Sequence, residues 1–341
     1  MNNVFTNIFA KQPEEIINGD YYFPVPEFDV KTSEENVKRV DRNIRESFKE
    51  YWDSKTLEGD LHPFYDENWL LNIKGENKDY NLIELIKKIA CGNDPFMDIA
   101  SSASMGLATY FLKMNTNRQC LITDINSHEM QVLRACIDKE IPEYKNRINI
   151  ASFDNWDMPI MDNSLDCITS RYGVSSSGST LRDNKIIYKY QLSTGTEKVI
   201  DEIYRVLKPG GYFATVEMKI ESDYDIKMIC DNYKENGKLF GVYAYDEIQK
   251  VCEVLIDESW RDKFSEQGFK IEAEKKYYNR YTTNKLKRFL YNFTYYNNIR
   301  SWTDEEKALY LKYNSTEPQY DDDLGIDLYD TDTLYILQKP Y

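Results

Sequence analysis

The sequence predicts an α/β fold, a mostly parallel sheet with helices on both faces. Three observations carry that prediction. From Pro95 onward, short apolar runs alternate with helical stretches of about 10–15 residues. Several of those runs end in an acid or a small-residue cluster, as strands do where they leave a buried sheet. Hydrophobic residues make up 41% of the 341, enough to cover a sheet on two sides and to exclude global disorder.

The elements follow in order. Glu34–Trp52 carries Val37, Val40, Ile44, Phe48, Tyr51 and Trp52 near helical spacing and reads as part of a helical cap over 1–91. Leu82–Ala90 is a second amphipathic helix, stopped by Cys91-Gly92-Asn93-Asp94-Pro95. Pro95–Ala100 is the first strand, and a helix over Leu107–Met114 follows it. Cys120–Asp124, Ile148–Asp154 and Leu165–Tyr172 are the next three strands, with a helix over Ser127–Lys139 after the second. A helix over Glu197–Leu207 ends at Lys208-Pro209-Gly210-Gly211, and Tyr212–Met218 is the fifth strand. A helix over Asp246–Gln267 leads to a sixth strand, Gly268–Tyr277. Residues 281–331 break the rhythm with aromatic helical pieces and the acidic run Asp321-Asp322-Asp323, read as a solvated loop. Thr333–Pro340 closes the chain as a final strand.

Composition narrows the function. Lys and Arg total 43 against 58 Asp and Glu, a net charge of −15, and no basic stripe is visible, so nucleic acid is not the expected partner. No run of 18 apolar residues exists to span a membrane, and the N-terminus does not read as a signal peptide. The six cysteines form no CxxC pair and read as reduced thiols in a cytoplasmic protein rather than a metal site. The 28 tyrosines fit either a compositional bias or a tyrosine-lined pocket.

An open parallel sheet binds its ligand beyond the carboxyl ends of its strands. The first strand ends at Asp98 and runs into Ala100-Ser101-Ser102-Ala103-Ser104-Met105-Gly106, a small-residue turn that admits close backbone approach before a helix N-terminus. Asp124, followed by Ile125, ends the second strand, where a carboxylate can accept both hydroxyls of a ribose. Asp154 and Asn155 end the third, placed to accept from an adenine amino group. Ser170-Arg171-Tyr172-Gly173 ends the fourth.

These features resemble the class I S-adenosylmethionine-dependent methyltransferases. Asp98–Gly106 is similar to their glycine-rich first motif, and Leu121–Asp124 to the acidic end of their second strand. Asp154–Asp166, Asp-Asn-Trp-Asp-Met-Pro-Ile-Met-Asp-Asn-Ser-Leu-Asp, resembles their D-x-x-x-L-P-F-x-D-x-S-F-D stretch, and Val206–Gly211 their fifth-strand turn. Four such motifs in order cover about residues 92–220, with a looser likeness over 244–280 and 332–341. The resemblance implies a Rossmann-like seven-stranded sheet, with an N-terminal helical cap over 1–91, a core over 92–280, a late helical insertion over 281–331 and a core strand over 332–341. Alternate glycines of the first motif are replaced by Ala100, Ser102 and Ser104, and each Cβ costs little if φ there stays negative.

The implied activity is methyl transfer from S-adenosylmethionine to oxygen or nitrogen of a small molecule. Asp98, Ala100, Ser101 and Ser102 would hold the methionine end, Asp124 and Ile125 the ribose, and Asp154 with Asn155 the adenine. Ser170 and Arg171 would lie over the reacting centre, with Tyr51, beside Trp52, as an aromatic lid from the cap. Candidate bases are His62 in the cap, Tyr172 and Glu217, whereas His128 reads as a helix-surface residue. Val174–Gly195 is a long connection suited to a lid or a substrate contact. Three other readings remain open: a regulatory protein that kept the fold without catalysis, a methyltransferase acting on a protein, and use of the same cofactor for another group transfer. The acceptor and the oligomeric state are not legible.

Overall fold

The computed structural model describes residues 4–25, 45, 48, 80–92, 94–101, 105–115, 117–174, 190–219, 260–281 and 328–341. Within them the chain runs β1 (Glu15–Ile17), β2 (Asp20–Tyr22), α1 (Tyr80–Ala90), β3 (Phe96–Ile99), α2 (Gly106–Met114), β4 (Cys120–Asp124), α3 (Ser127–Glu140) and β5 (Ile148–Ser152). It continues with β6 (Leu165–Arg171), α4 (Tyr190–Val206), β7 (Leu207–Lys219), α5 (Trp260–Glu266), β8 (Lys270–Tyr281) and β9 (Leu328–Gln338).

One sheet takes all nine strands, in the order β1-β2-β5-β4-β3-β6-β7-β9-β8. The pairs from β2 through β7 are parallel, while β9 is antiparallel to both β7 and β8. Against the expected seven strands, the described residues form nine. The added pair is a hairpin inside the segment expected to be a helical cap. Asn18 and Gly19 both have positive φ, 54° and 89°, the twist that a two-residue hairpin turn requires. Its strand β2 then pairs parallel to β5, through Tyr21↔Ala151 and Tyr22↔Ser152.

Side chains alternate across the sheet and build two cores. One face carries Phe96, Cys120, Ile122, Ile150 and Cys167 against α1, α2 and α3. The other carries Met97, Leu121, Ile168 and Phe213 against Val199, Ile200, Ile203 and Val206 of α4 and Trp260 and Phe264 of α5. β3 is buried at every position because both of its faces are covered. From the expected cap helix, Arg45 and Phe48 are helical and Phe48 is buried in the first core. β9 begins at Leu328, inside the span read as the insertion, and β8 runs to Tyr281.

The helices are fixed at the edge of the sheet away from the strands' carboxyl ends. Arg118 donates to the terminal carbonyls Ile89 and Ala90 of α1, and its Nε to Asp94 O at 2.8 Å. Arg147 donates to Leu112 O of α2 at 2.8 Å, and Lys339 Nζ to Tyr204 O of α4 at 2.7 Å. A cation on the last carbonyls satisfies orphan acceptors and complements the helix dipole.

Candidate active site

The chain steps from β3 outward to β4 and β5, then returns to lay β6 on the other side of β3. That reversal opens a crevice beyond the carboxyl ends of β3 and β6, where an open α/β sheet takes its ligand. Strand ends place Asp98 to Ser101, Asp124 with Ile125, Asp154 with Asn155, and Ser170 to Gly173 along this one edge.

Asp98 is fully buried at the end of β3. Its carboxylate accepts from the hydroxyls of Ser101 and Thr169 and from the N–H of Ala108 in α2. Burial pushes this carboxyl up to about 7, against the opposing pull of those donors. The N-cap position of α2, Met105, supplies no side-chain hydrogen bond, so Asp98 meets the helix N-terminus from the neighbouring strand.

At Ala100, one of the replaced glycines, φ is +50°, so the condition under which a Cβ costs little is not met there. The turn keeps the left-handed shape that favours glycine, and the Cβ is carried under strain. Ser101 holds that shape from two sides. Its N–H donates to Thr123 O at 2.9 Å and its hydroxyl reaches Asp98. Ser102 and Ser104 lie outside the described residues.

Asp124 ends β4 partly exposed, and its Oδ1 accepts the N–H of Asn126 at 3.0 Å. Asn126 caps α3, accepting from Glu129 N at 3.2 Å and donating to Glu129 Oε1 at 3.0 Å. Ile125 is half-buried, and its carbonyl accepts from Ser152 Oγ at 3.2 Å. Asp154 and Asn155 are buried, with Asp154 Oδ1 accepting from Trp156 N at 3.0 Å.

The loop from Asp154 to Ser164 is fastened by α4. Arg205 donates to Met158 O at 3.0 Å and Ile160 O at 2.7 Å, and its guanidinium pairs with Glu202 and Asp162. Glu202 accepts in turn from Met158 N at 2.7 Å. Neither Arg205 nor Glu202 is singled out by the sequence, although they stand one turn apart on the charged side of α4, opposite its buried Val199, Ile200, Ile203 and Val206.

At the end of β6, Ser170 Oγ accepts from Gly173 N at 2.9 Å. A Cβ on Gly173 would meet Ser170 Oγ at 2.1 Å and Ile99 O at 3.0 Å, so glycine is required where β6 leaves the sheet beside β3. Tyr172 has φ +58° and donates its N–H to Val216 O at 2.7 Å, while the Arg171 guanidinium lies 5.1 Å from its ring. Glu217 is fully buried near the end of β7, accepting from Thr215 Oγ1 at 2.7 Å and from Val174 N at 3.3 Å. His62, Tyr51 and Trp52 lie outside the described residues, as does 175–189 of the long connection. His128 is half-buried in the first turn of α3.

Residues 98–215 match the family model described as a methyltransferase domain. The sterol 24-C-methyltransferase of Pneumocystis carinii is 28% identical over 134 residues, 39% of this chain and 30% of that protein. The mitochondrial 2-methoxy-6-polyprenyl-1,4-benzoquinol methylase of Caenorhabditis elegans is 26% identical over 144 residues, 42% of this chain and 44% of that one. The chain therefore spans less than half the length of the curated relatives it matches. Among solved structures, the YcgJ protein of Bacillus subtilis superposes with a TM-score of 0.44 at 16% identity, covering 76% of this chain and 98% of that one. Over residues 98–215 the chain is thus similar to methyltransferase domains. Among the described residues no helix is long and apolar enough to cross a membrane, and no cluster of metal-ligating side chains occurs.

Proposed function

We propose that the chain transfers a methyl group from S-adenosylmethionine to an oxygen or nitrogen of a small molecule, and that it does so in the cytoplasm. One observation carries the reading. Asp98–Ser101, Asp124, Asp154–Asn155 and Ser170–Gly173 come together on the switch-point edge of a sheet with this strand order. The residues fit the cofactor: Ala100 keeps the left-handed turn that lets backbone approach a ligand, and Asp124 offers a partly exposed carboxylate for a diol.

In this reading Asp124 and Ile125 hold the ribose, Asp154 and Asn155 border the adenine, and the Ala100–Ser101 turn faces the methionine end with Ser102. When bound, the cofactor supplies an activated methyl with its own leaving group. The chain's part is to orient the acceptor in line, exclude water and remove a proton where the acceptor needs it. Ser170, Arg171 and Tyr172 border the acceptor's side, with Tyr172 and His62 as proton acceptors and Tyr51 over the cofactor. Glu217 sits deeper, and its contact with Val174 N suits it to setting the base of the connection that follows β6. A net charge of −15 suits a small acceptor better than a polyanion.

Titration calorimetry with S-adenosylmethionine and S-adenosylhomocysteine tests this. Micromolar binding of either supports it, and Asp124→Ala should weaken binding about tenfold, the worth of a lost charge-assisted hydrogen bond. Absence of binding by both, with and without candidate acceptors, would leave a fold kept for interaction instead.

A further inference from the structure

Ala100 adopts a left-handed backbone despite its Cβ, so its surroundings must hold the turn in that shape. The Asp98 carboxylate does so from within the sheet. One oxygen takes the Ser101 hydroxyl, which also contacts Asp98 O at 3.1 Å. The other takes the hydroxyl of Thr169, which pairs opposite Asp98 in the β3–β6 register. Ala108 N–H brings the first turn of α2 to the same group. One buried carboxylate thus joins β6, the turn and the helix start. Thr169 is its only side-chain donor from β6 among the described residues, and it is fully buried.

We propose that Thr169 is a positioning residue for cofactor binding: its hydroxyl orients the Asp98 carboxylate, and through it the Ala100–Ser101 turn and the N-terminus of α2. The proposal rests on the cofactor reading above. Without this donor a buried carboxylate loses one of its partners and turns to find another. Ser101 then loses its register on the strand end. The adjacent turn relaxes from the left-handed shape in which Ala100 is strained. A hydroxyl is required here; threonine's shape alone does not suffice, because valine fills the same volume and donates nothing.

The test titrates the full chain with S-adenosylhomocysteine as wild type, Thr169→Val, Thr169→Ser, Ser101→Ala and the Ser101→Ala/Thr169→Val double variant, with a thermal unfolding midpoint for each. Thr169→Val should weaken binding about tenfold, the loss of one hydrogen bond to a charged group. Thr169→Ser should recover affinity to within about twofold, because it restores the donor. The double variant should lose less than the product of the single losses, since both act through one carboxylate. If Thr169→Val does not fold, Thr169→Ala takes its place. Wild-type affinity in the donor-less variant would overturn the proposal while leaving the cofactor reading intact. A wild type that binds no cofactor would overturn that reading and this proposal with it.

Discussion

Asp20 of β2 and Arg134 of α3 form a buried bidentate pair. Arg134 Nε reaches Asp20 Oδ2 at 2.7 Å and Nη2 reaches Oδ1 at 2.5 Å. Arg134 also donates to Ile148 O at 2.9 Å, and Asp20 Oδ1 accepts from Ile150 N at 3.2 Å. The pair therefore ties the N-terminal hairpin to its neighbour β5 and to the helix behind it. Burial pushes the Asp20 carboxyl up, and Arg134 pulls it back down.

Removing one partner strands a buried charge, which costs about 3–5 kcal/mol. Asp20→Ala should lower the unfolding free energy by that amount in urea titration. Arg134→Met with Asp20→Leu should recover most of it, since apolar replacement of a whole buried pair is often neutral. Equal losses in the single and the double variant would contradict this account of the hairpin's attachment.

Arg205 predicts a different kind of loss. It binds the carbonyls of Met158 and Ile160 and the Glu202 carboxylate, so it fixes the loop that begins at Asp154. Arg205→Lys keeps the charge but not the planar fork of donors. Cofactor affinity should fall about threefold to tenfold, on the scale of one or two lost hydrogen bonds. Fluorescence of the half-buried Trp156 should change in parallel, since that residue sits in the loop. An unchanged affinity would separate the loop's fastening from the nucleotide side.

The legible parts of this fold were those with a repeating signal. β3, β4, β5 and β6 are apolar runs buried on both faces, and the first three lead to Asp98, Asp124 and Asp154, the acids that mark a ligand edge. The hairpin is not legible because its strands are three residues each, too short for periodicity. Its one clear signal, Asn18-Gly19, stood beside Asp20, a residue that reads as exposed until Arg134 is brought to it by the fold. Thr169 and Arg205 carry no local motif. Their roles depend on strand register and on a helix packing over a loop, and neither is written along the chain.

Asp98 makes stability depend on pH. Its folded carboxyl lies near 7 against 3.8 in the ordinary state, so the folded chain holds this proton more tightly than the unfolded one. Its contribution is complete below about pH 4 and is lost as pH rises toward 7, because ionising a buried group then opposes folding. Asp98→Asn removes the titration. Between pH 5 and 8 the wild type should lose about 1–3 kcal/mol relative to Asp98→Asn in urea unfolding. Parallel pH profiles would show that the Ser101, Thr169 and Ala108 donors outweigh burial.

Ala100→Gly removes a Cβ from a left-handed position. The relief is about 1–2 kcal/mol, offset by about 0.4–1 kcal/mol of added freedom in the unfolded chain. A net gain of roughly 0.5–1 kcal/mol should follow in thermal or urea unfolding. The substitution also separates two explanations of the missing glycines. If the side chain intrudes on the methionine end, the glycine variant should bind S-adenosylhomocysteine more tightly as well. If Ser101 and Asp98 already hold the turn in its working shape, stability should rise with affinity unchanged. Loss of stability would mean that the Ala100 methyl packs usefully where Gly173 approaches it, since a Cβ at Gly173 would stand 3.3 Å from that methyl.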